Sequence, residues 1–435
     1  MLKPTPSGLI RGIYRWDLLG LAINGIVGAG IFGLPSQVYR YTGRYSVVAF
    51  VVCALVISSI VLCFAEVGGR FSESGGPYLY AREAFGPLIG FEVGWLLWLA
   101  RVTSFATISN LLIGYLSYFW PQAGAGWVRV AVISVIVMVL TGLNLSGVRQ
   151  AAIVSNTFVI GKLIPLLLFV AGGLFFVKWA DFGSPANTSF KEFSQAVLLS
   201  VFAFSGFEYT GILAGETKEP QRNLPFAILS AVAITATLFV LIQVVCIGTL
   251  PSLASSQRPL ADAARNFWGA AGGLMITVGV IISTAGTLSI IMLGAPRVLF
   301  ALAEQGQLPG FLKAIHPRFH TPHVAILLSA VVILVVKISG TFIYALTIST
   351  ITRRLTYAAT CGALIALRRK SDAPPSTFEL PSGLAVSAIA LVLCIWLIVS
   401  STWREARDTA IAATVGLLFY ATHRLWEYTV SYRRR

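Results

Sequence analysis

Gly25-Ile26-Val27-Gly28-Ala29-Gly30-Ile31-Phe32-Gly33 sets four glycines in nine residues inside the first long apolar stretch, 16–41. Each glycine weakens a helix by roughly 0.5–1 kcal/mol relative to alanine. In a bilayer an opened backbone is tolerated only where protein or a water-filled cavity satisfies its N–H and C=O groups. The stretch therefore reads as an interrupted span whose freed backbone groups can meet a substrate; close helix packing through small residues is the other reading. A second candidate interruption, Phe202-Ala203-Phe204-Ser205-Gly206-Phe207-Glu208, weighs against simple packing. Paired interruptions in two halves of a chain are the best sequence pointer to a transport site.

Working outward, the 435 residues are 56% hydrophobic and only 11% charged, with mean hydropathy +0.81. Apolar runs long enough to cross a ~30 Å hydrocarbon core recur throughout. Twelve are expected: 16–41, 46–68, 88–119, 127–145, 153–177, 193–215, 226–250, 272–300, 323–339, 342–367, 383–401 and 408–426. A net charge of +15 would suggest nucleic acid in a soluble protein, but here it follows from topology. Lys3, Arg11 and Arg15 precede the first span, Arg433, Arg434 and Arg435 end the chain, and loop residues such as Arg70, Arg149, Lys218 and Arg368 fall on that same side. The positive-inside rule makes that side cytoplasmic, with basic residues such as Arg40 and Arg129 moderating the bias on the other. The expected location is the cytoplasmic (inner) membrane, multi-pass, with both termini cytoplasmic and no cleavable signal. The five cysteines all lie within apolar spans, which favours buried thiols over disulfides.

The interruptions lie in spans one and six, so five spans separate the starts of two similar units. An odd repeat length turns the second unit upside down. The expected organisation is a tail over 1–15, a first repeat over 16–177, a second over 193–367, two further spans over 383–426 and a basic tail over 427–435. Loops are short; the longest on the outer side are expected at 181–191 and 251–269, and on the cytoplasmic side after spans two and eight.

The chemistry-bearing residues exclude several classes. No Gly-x4-Gly-Lys-Ser/Thr loop is present, no nucleophile–base set stands out, and His316, His320 and His323 are separated by Pro317 and Pro322 with no carboxylate partner. Neither an enzyme nor a metal or cofactor is implied. Ionisable groups deep in spans are more informative, because each costs roughly 2.5–3.5 kcal/mol at the bilayer centre on insertion scales. They are Arg101, Lys162, Glu208, Arg353 and Arg354. A lysine amine in apolar surroundings releases its proton more readily than one in water, so Lys162 suits proton coupling; the other reading is a fixed cation tying spans one, five and eight. Glu208 is a second candidate proton site or a partner of a backbone N–H. Arg353 and Arg354 fit a wet vestibule as well as a site. Of the aromatic residues nearby, Phe202, Phe204 and Phe207, one is expected to close the site.

The chain resembles the amino acid–polyamine–organocation family of secondary transporters, especially bacterial amino acid permeases. The resemblance rests on Gly25 to Pro35; on Phe64-Ala65-Glu66-Val67-Gly68 with Ser74-Gly75-Gly76-Pro77-Tyr78; on Phe204 to Glu208 with Glu216-Thr217-Lys218-Glu219-Pro220; and on Pro296-Arg297-Val298-Leu299-Phe300-Ala301 with Gly306 and Pro309. It implies an all-α integral membrane protein of the leucine-transporter type, a five-plus-five inverted repeat with broken helices one and six. It also implies that a substrate carboxylate meets the N–H groups of Gly28, Ala29 and Gly30, near the positive end of the following half-helix. The amine then meets carbonyls of Ile26, Phe202 and Ser205, Phe202 takes the place of an aromatic lid, and Lys162 matches a lysine of proton-coupled members. Phe105 stands where arginine-recognising members offer an amide, and the lid is Phe rather than Trp; both departures argue against a cationic substrate.

The resulting expectation is an amino acid permease working by alternating access, proton-coupled as a symporter and preferring neutral L-amino acids. The substrate-binding set is Ile26, Gly28, Ala29, Gly30, Phe202 and Ser205; Lys162 and Glu208 handle protons; Phe105 and Phe204 form a gate or pocket wall. Partners are the amino acid, protons and the lipid bilayer, with no nucleic acid and no obligate protein. An obligate amino acid/amine exchanger is the alternative within transport, and a non-transporting substrate sensor or partner-binding membrane protein the alternative outside it.

Overall fold

The structure, a computed structural model, describes the backbone of residues 5–182, 188–338 and 342–433, with side chains except at 181, 338, 342–350 and 426–433. Lys3 and the basic residues Arg433, Arg434 and Arg435, and much of the loop expected at 181–191, lie outside the described side chains. The described residues fold as helices: α1 (Arg15–Ile26), α2 (Gly30–Thr42), α3 (Ser46–Gly68), α4 (Pro77–Phe85), α5 (Pro87–Phe119), α6 (Gly126–Leu145), α7 (Val148–Gly173) and α8 (Phe190–Val201). The chain continues through α9 (Tyr209–Ile212), α10 (Pro220–Thr249), α11 (Pro259–Glu304), α12 (His323–Ile338), α13 (Phe342–Arg369), α14 (Gly383–Val399) and α15 (Trp403–Arg433). Among the described residues, six helical stretches are apolar and long enough to cross a membrane, Gly30–Gly68, Pro87–Phe119, Gly126–Leu145, Val148–Phe176, Pro220–Thr249 and Pro259–Glu304. The architecture is that of a multi-pass membrane protein.

Both expected interruptions are present. At Val27, φ −76° and ψ 78° end α1, and the Gly28 N–H turns back to the Ile26 carbonyl at 2.8 Å. The second span is helical only over α8, then runs through turns from Phe202 to Glu208 before the single turn of α9. Gly206 there holds φ +119°, a conformation that costs other residues a steric penalty. The entry to α8 is fixed by a capping box: Glu192 N–H donates to Ser189 Oγ at 3.2 Å, and Ser189 N–H donates to the Glu192 carboxylate at 2.9 Å.

The outer loop expected at 251–269 is largely helical instead. Pro259 opens α11 at its first position, where a missing N–H costs nothing, and the alanine-rich start favours helix. The expected boundary survives as a kink at Gly269, φ 65° and ψ −155°. The cytoplasmic stretch after span two likewise contains α4, opened by Pro77 behind Gly76 at φ 54°.

α1 packs on α7 and α10, and α11 on α5 and α7, so the first interruption is enclosed by α7 and α11. The segment ahead of α1 is tied to the turn that follows α9. Ile13 forms a parallel β-bridge with Thr217: the Ile13 N–H donates to the Glu216 carbonyl at 3.0 Å, and Lys218 N–H to the Ile13 carbonyl at 2.9 Å. Beneath it Arg297 grips Glu216 bidentately, at 2.8 and 3.1 Å, and also donates to Asn144 Oδ1 and to the Leu293 carbonyl. Both members of this ion pair are fully buried. Glu66 ties α3 to α13 and the following loop through Arg368, the Leu380 N–H and Arg70. All five cysteines are free and buried.

Candidate functional site

The two interruptions cross at the centre of the molecule and enclose one cavity with room of about 60 Å³, roughly four to six water-sized spheres at ~10–15 Å³ each. α1 and α2 contribute Gly25, Ile26, Gly28, Ala29 and Gly30; the second interruption contributes Phe202, Ala203, Ser205, Gly206 and Tyr209; α5, α11 and α13 supply Arg101, Ser104, Thr287 and Arg353 among others. All six residues of the expected substrate-binding set thus lie around a single space. Phe202 faces it while keeping 41% of its surface exposed.

Phe105 and Phe204, expected as gate or wall, are not among the lining residues. Both are fully buried. Phe105 is one helical step of ~100° beyond Ser104, which carries its ring away from the cavity face and into the core. The Phe204 ring packs edge-on against Phe239 of α10, 5.2 Å between centroids. In place of Phe105, α5 presents Arg101, Ser104, Thr107 and Ile108.

Lys162 of α7 lies behind the first interruption, fully buried. Its Nζ donates to three carbonyls, Asn24 at 3.2 Å, Val27 at 2.7 Å and Ser283 at 3.3 Å. These come from α1, the break and α11. The Val27 carbonyl, freed by the break, also accepts from Ser283 Oγ at 3.0 Å. Asn24 anchors the same region, donating to Ser155 Oγ at 2.6 Å and to the Gly286 carbonyl at 3.0 Å. The lysine ammonium stands where a small metal cation would otherwise satisfy converging carbonyls, and it joins α1, α7 and α11.

Glu208 lies at the end of the second interruption, 1% exposed, and its carboxylate is heavily engaged. Oε1 accepts from Arg101 Nη2 at 2.8 Å and lies 3.8 Å from Arg353 Nε. Oε2 accepts from the Gly206 N–H at 2.8 Å and from the Tyr357 hydroxyl at 3.3 Å. Arg101 lies over the Tyr209 ring at 3.9 Å, a favourable cation–π arrangement. Arg353 donates to Ser205 Oγ at 2.6 Å and sits 5.7 Å from the Phe202 ring centre. Sequence reasoning had marked Arg101, Glu208 and Arg353 as deep charges, but separations of 107 residues and more hide such pairings. Arg354, one step further round α13, points instead to the Leu397 carbonyl and Ser401 of α14 and its following turn. Tyr209 and Thr287 were missed altogether; a tyrosine one residue past a deep glutamate was the available signal.

Comparison with known proteins agrees on one lineage. The family profile described as amino acid permease matches residues 13–420. The chain is 29% identical over 443 aligned residues to the methylthioribose transporter of Bacillus subtilis strain 168, covering 95% of this chain and 93% of the relative. It is 27% identical to the branched-chain amino acid permease BcaP of the same organism, covering 95% and 93%. It is also 27% identical to that organism's serine/threonine exchanger SteT, covering 94% and 95%.

Proposed function

Because the chain belongs to the amino acid permease family, a family of transporters and not of enzymes, we propose that its central cavity binds an amino acid and passes it across the cytoplasmic membrane by alternating access. In this reading twelve spans are arranged as two inverted five-helix units, 16–177 and 193–367, followed by two spans over 383–426, with both termini in the cytoplasm. The observation that carries the reading is the meeting of two unwound segments around one space.

The α-carboxylate lies at the N-terminus of α2, at the N–H groups of Ala29 and Gly30, where the helix end favours an anion; the Gly28 N–H is turned to the Ile26 carbonyl and only flanks it. The ammonium lies among the carbonyls of Ile26, Phe202 and Ser205. The Ile26 carbonyl already accepts the Gly28 N–H and keeps a second lone pair; the Phe202 carbonyl accepts both the N–H and the hydroxyl of Ser205, so the ammonium displaces the hydroxyl there. Phe202, exposed and at the cavity, is the lid. Phe105 and Phe204 shape it only from behind.

Proton coupling runs through Lys162 in this proposal. Losing its proton removes a cation from three carbonyls around the first interruption and loosens α1 against α11. Glu208 takes part only by releasing Arg101. The contrasting reading, obligate exchange with Lys162 as a permanent tie, is supported by the same three contacts and by the relative named as an exchanger.

The cavity repels cationic side chains. Arg101 and Arg353 both line it, and like unit charges ~4 Å apart at an effective dielectric of ~20 cost about 4 kcal/mol. Apolar lining such as Ile108, Phe202 and Ile291 favours neutral L-amino acids, each buried apolar Å² contributing roughly 25 cal/mol. Thermal-shift measurements of the purified protein against the common amino acids, followed by competition of labelled uptake, test the reading. Stabilisation by neutral amino acids, with none by arginine, lysine or agmatine, is expected; inhibition by arginine and none by alanine or leucine overturns the substrate class.

A further inference from the structure

The charges around the cavity do not balance. Arg101 and Arg353 both line it and are both permanently charged. The one carboxylate facing them, Glu208, is shared between them and is further occupied by the Gly206 N–H and the Tyr357 hydroxyl. Among the described residues, no other lining residue carries a charge. Two cations against one anion leave a net charge of +1.

One guanidinium also has a donor to spare. Arg101 is 2% exposed, and its Nε has no hydrogen-bond partner among the described residues. Arg353 donates to a neutral oxygen, Ser205 Oγ at 2.6 Å, whose own proton is directed to the Phe202 carbonyl at 2.8 Å. Buried charges are ordinarily paired, because an uncompensated one is costly. Here the missing partner has a place to sit, since both arginines line the cavity itself.

We infer that the cavity contains, beside the backbone groups, a subsite for one monovalent anion held by Arg353 and Arg101 next to Phe202. The inference rests on the amino acid reading of this cavity and adds a component to it. An amino acid brings a carboxylate and an ammonium that cancel, so a neutral substrate leaves the excess charge in place. Two sources supply the same chemistry. A small free anion such as chloride accompanies a neutral amino acid, or the side-chain carboxylate of an acidic amino acid fills the subsite directly.

The experiment measures binding by thermal shift on the detergent-purified full chain. In chloride-free gluconate buffer, glutamate is compared with glutamine and aspartate with asparagine. In a second arm, leucine and glutamine are titrated while chloride replaces gluconate. Either an acidic amino acid binds at least tenfold tighter than its amide, which identifies the side chain as the source, or chloride tightens neutral binding at least tenfold, which identifies the free anion. Arg353→Gln reduces the effect to under threefold and Arg353→Lys retains it. If neither difference exceeds threefold in the wild type, or if Arg353→Gln leaves it intact, the subsite is wrong. If Arg353→Gln does not fold, the two wild-type arms decide. Should no amino acid stabilise the protein, the amino acid reading fails, and chloride alone then tests the subsite: a rise in melting temperature with chloride over gluconate sustains it, and no rise overturns it.

Discussion

Gly25 and Gly206 meet backbone to backbone where the two interrupted helices cross. A Cβ added to Gly25 falls 2.6 Å from the Gly206 carbonyl oxygen, and one added to Gly206 runs into the Gly25 carbonyl. Gly206 also holds φ +119°. Gly206→Ala therefore combines a clash against backbone with a backbone strain of about 1–3 kcal/mol, and a clear fall in melting temperature is expected. Gly33→Ala is the matched control: its Cβ meets nothing within 4 Å, and a helical alanine is slightly favourable there. Equal melting temperatures for the two variants contradict this contact.

At Gly30 the constraint concerns the substrate more than the fold. A Cβ there lies 3.3 Å from the Phe202 ring and 3.4 Å from the Ala203 Cα, so a leucine projects into the cavity. Gly30→Leu is expected to insert in the membrane yet lose at least about tenfold in ligand affinity, a change of ~1.4 kcal/mol. Uptake like that of the wild type sinks the backbone carboxylate site.

Lys162→Ala strips a donor from three carbonyls at once. The Val27 carbonyl keeps Ser283 Oγ, which limits the damage to roughly 1–3 kcal/mol for a buried group left unmatched. In proteoliposomes the variant is expected to lose accumulation driven by a proton gradient while still exchanging substrate across the membrane. Accumulation by the wild type that survives a protonophore unchanged establishes exchange or another coupling ion instead.

The Glu216–Arg297 pair is fully buried and bidentate. Removing one partner of such a pair typically costs about 3–5 kcal/mol, because the other charge is stranded. Arg297→Met is expected to lower the melting temperature strongly, and Glu216→Leu added to Arg297→Met to restore part of the loss. A double variant no better than the sum of the single variants argues that the pair carries no such penalty.

Much of this arrangement was legible along the chain. The glycine-dense stretch from Gly25 to Gly33 marked the first interruption, because helix propensity and bilayer hydrogen bonding act locally. The second, Phe202 to Glu208, carries a single glycine and is the weaker local signal. Local physics also explains the error at 251–269, where a proline suits a helix start as readily as a loop. The pairing of charges was not legible. Arg101, Glu208 and Arg353 come from α5, the second interruption and α13, and only packing brings them together. Phe105 failed for a related reason: one step along α5 separates a cavity face from the core, and hydropathy does not distinguish Ser104 from Phe105 by direction.

The bridge between Ile13 and Thr217 sets a clock as well as a seam. Two backbone hydrogen bonds clasp the segment before α1 to the turn that carries Glu216, and the Lys218 ammonium rests 4.1 Å from the Tyr14 ring centre. At about 0.5–1.5 kcal/mol each, those two bonds bias an opening equilibrium by a factor of roughly 5–150. The short stretch ahead of the first membrane helix thereby becomes a handle on dwell time. In the proposed alternating-access cycle, anything that lifts it, whether a bound partner or a fused tag, would shift how long the molecule waits on each side of the membrane without touching the cavity.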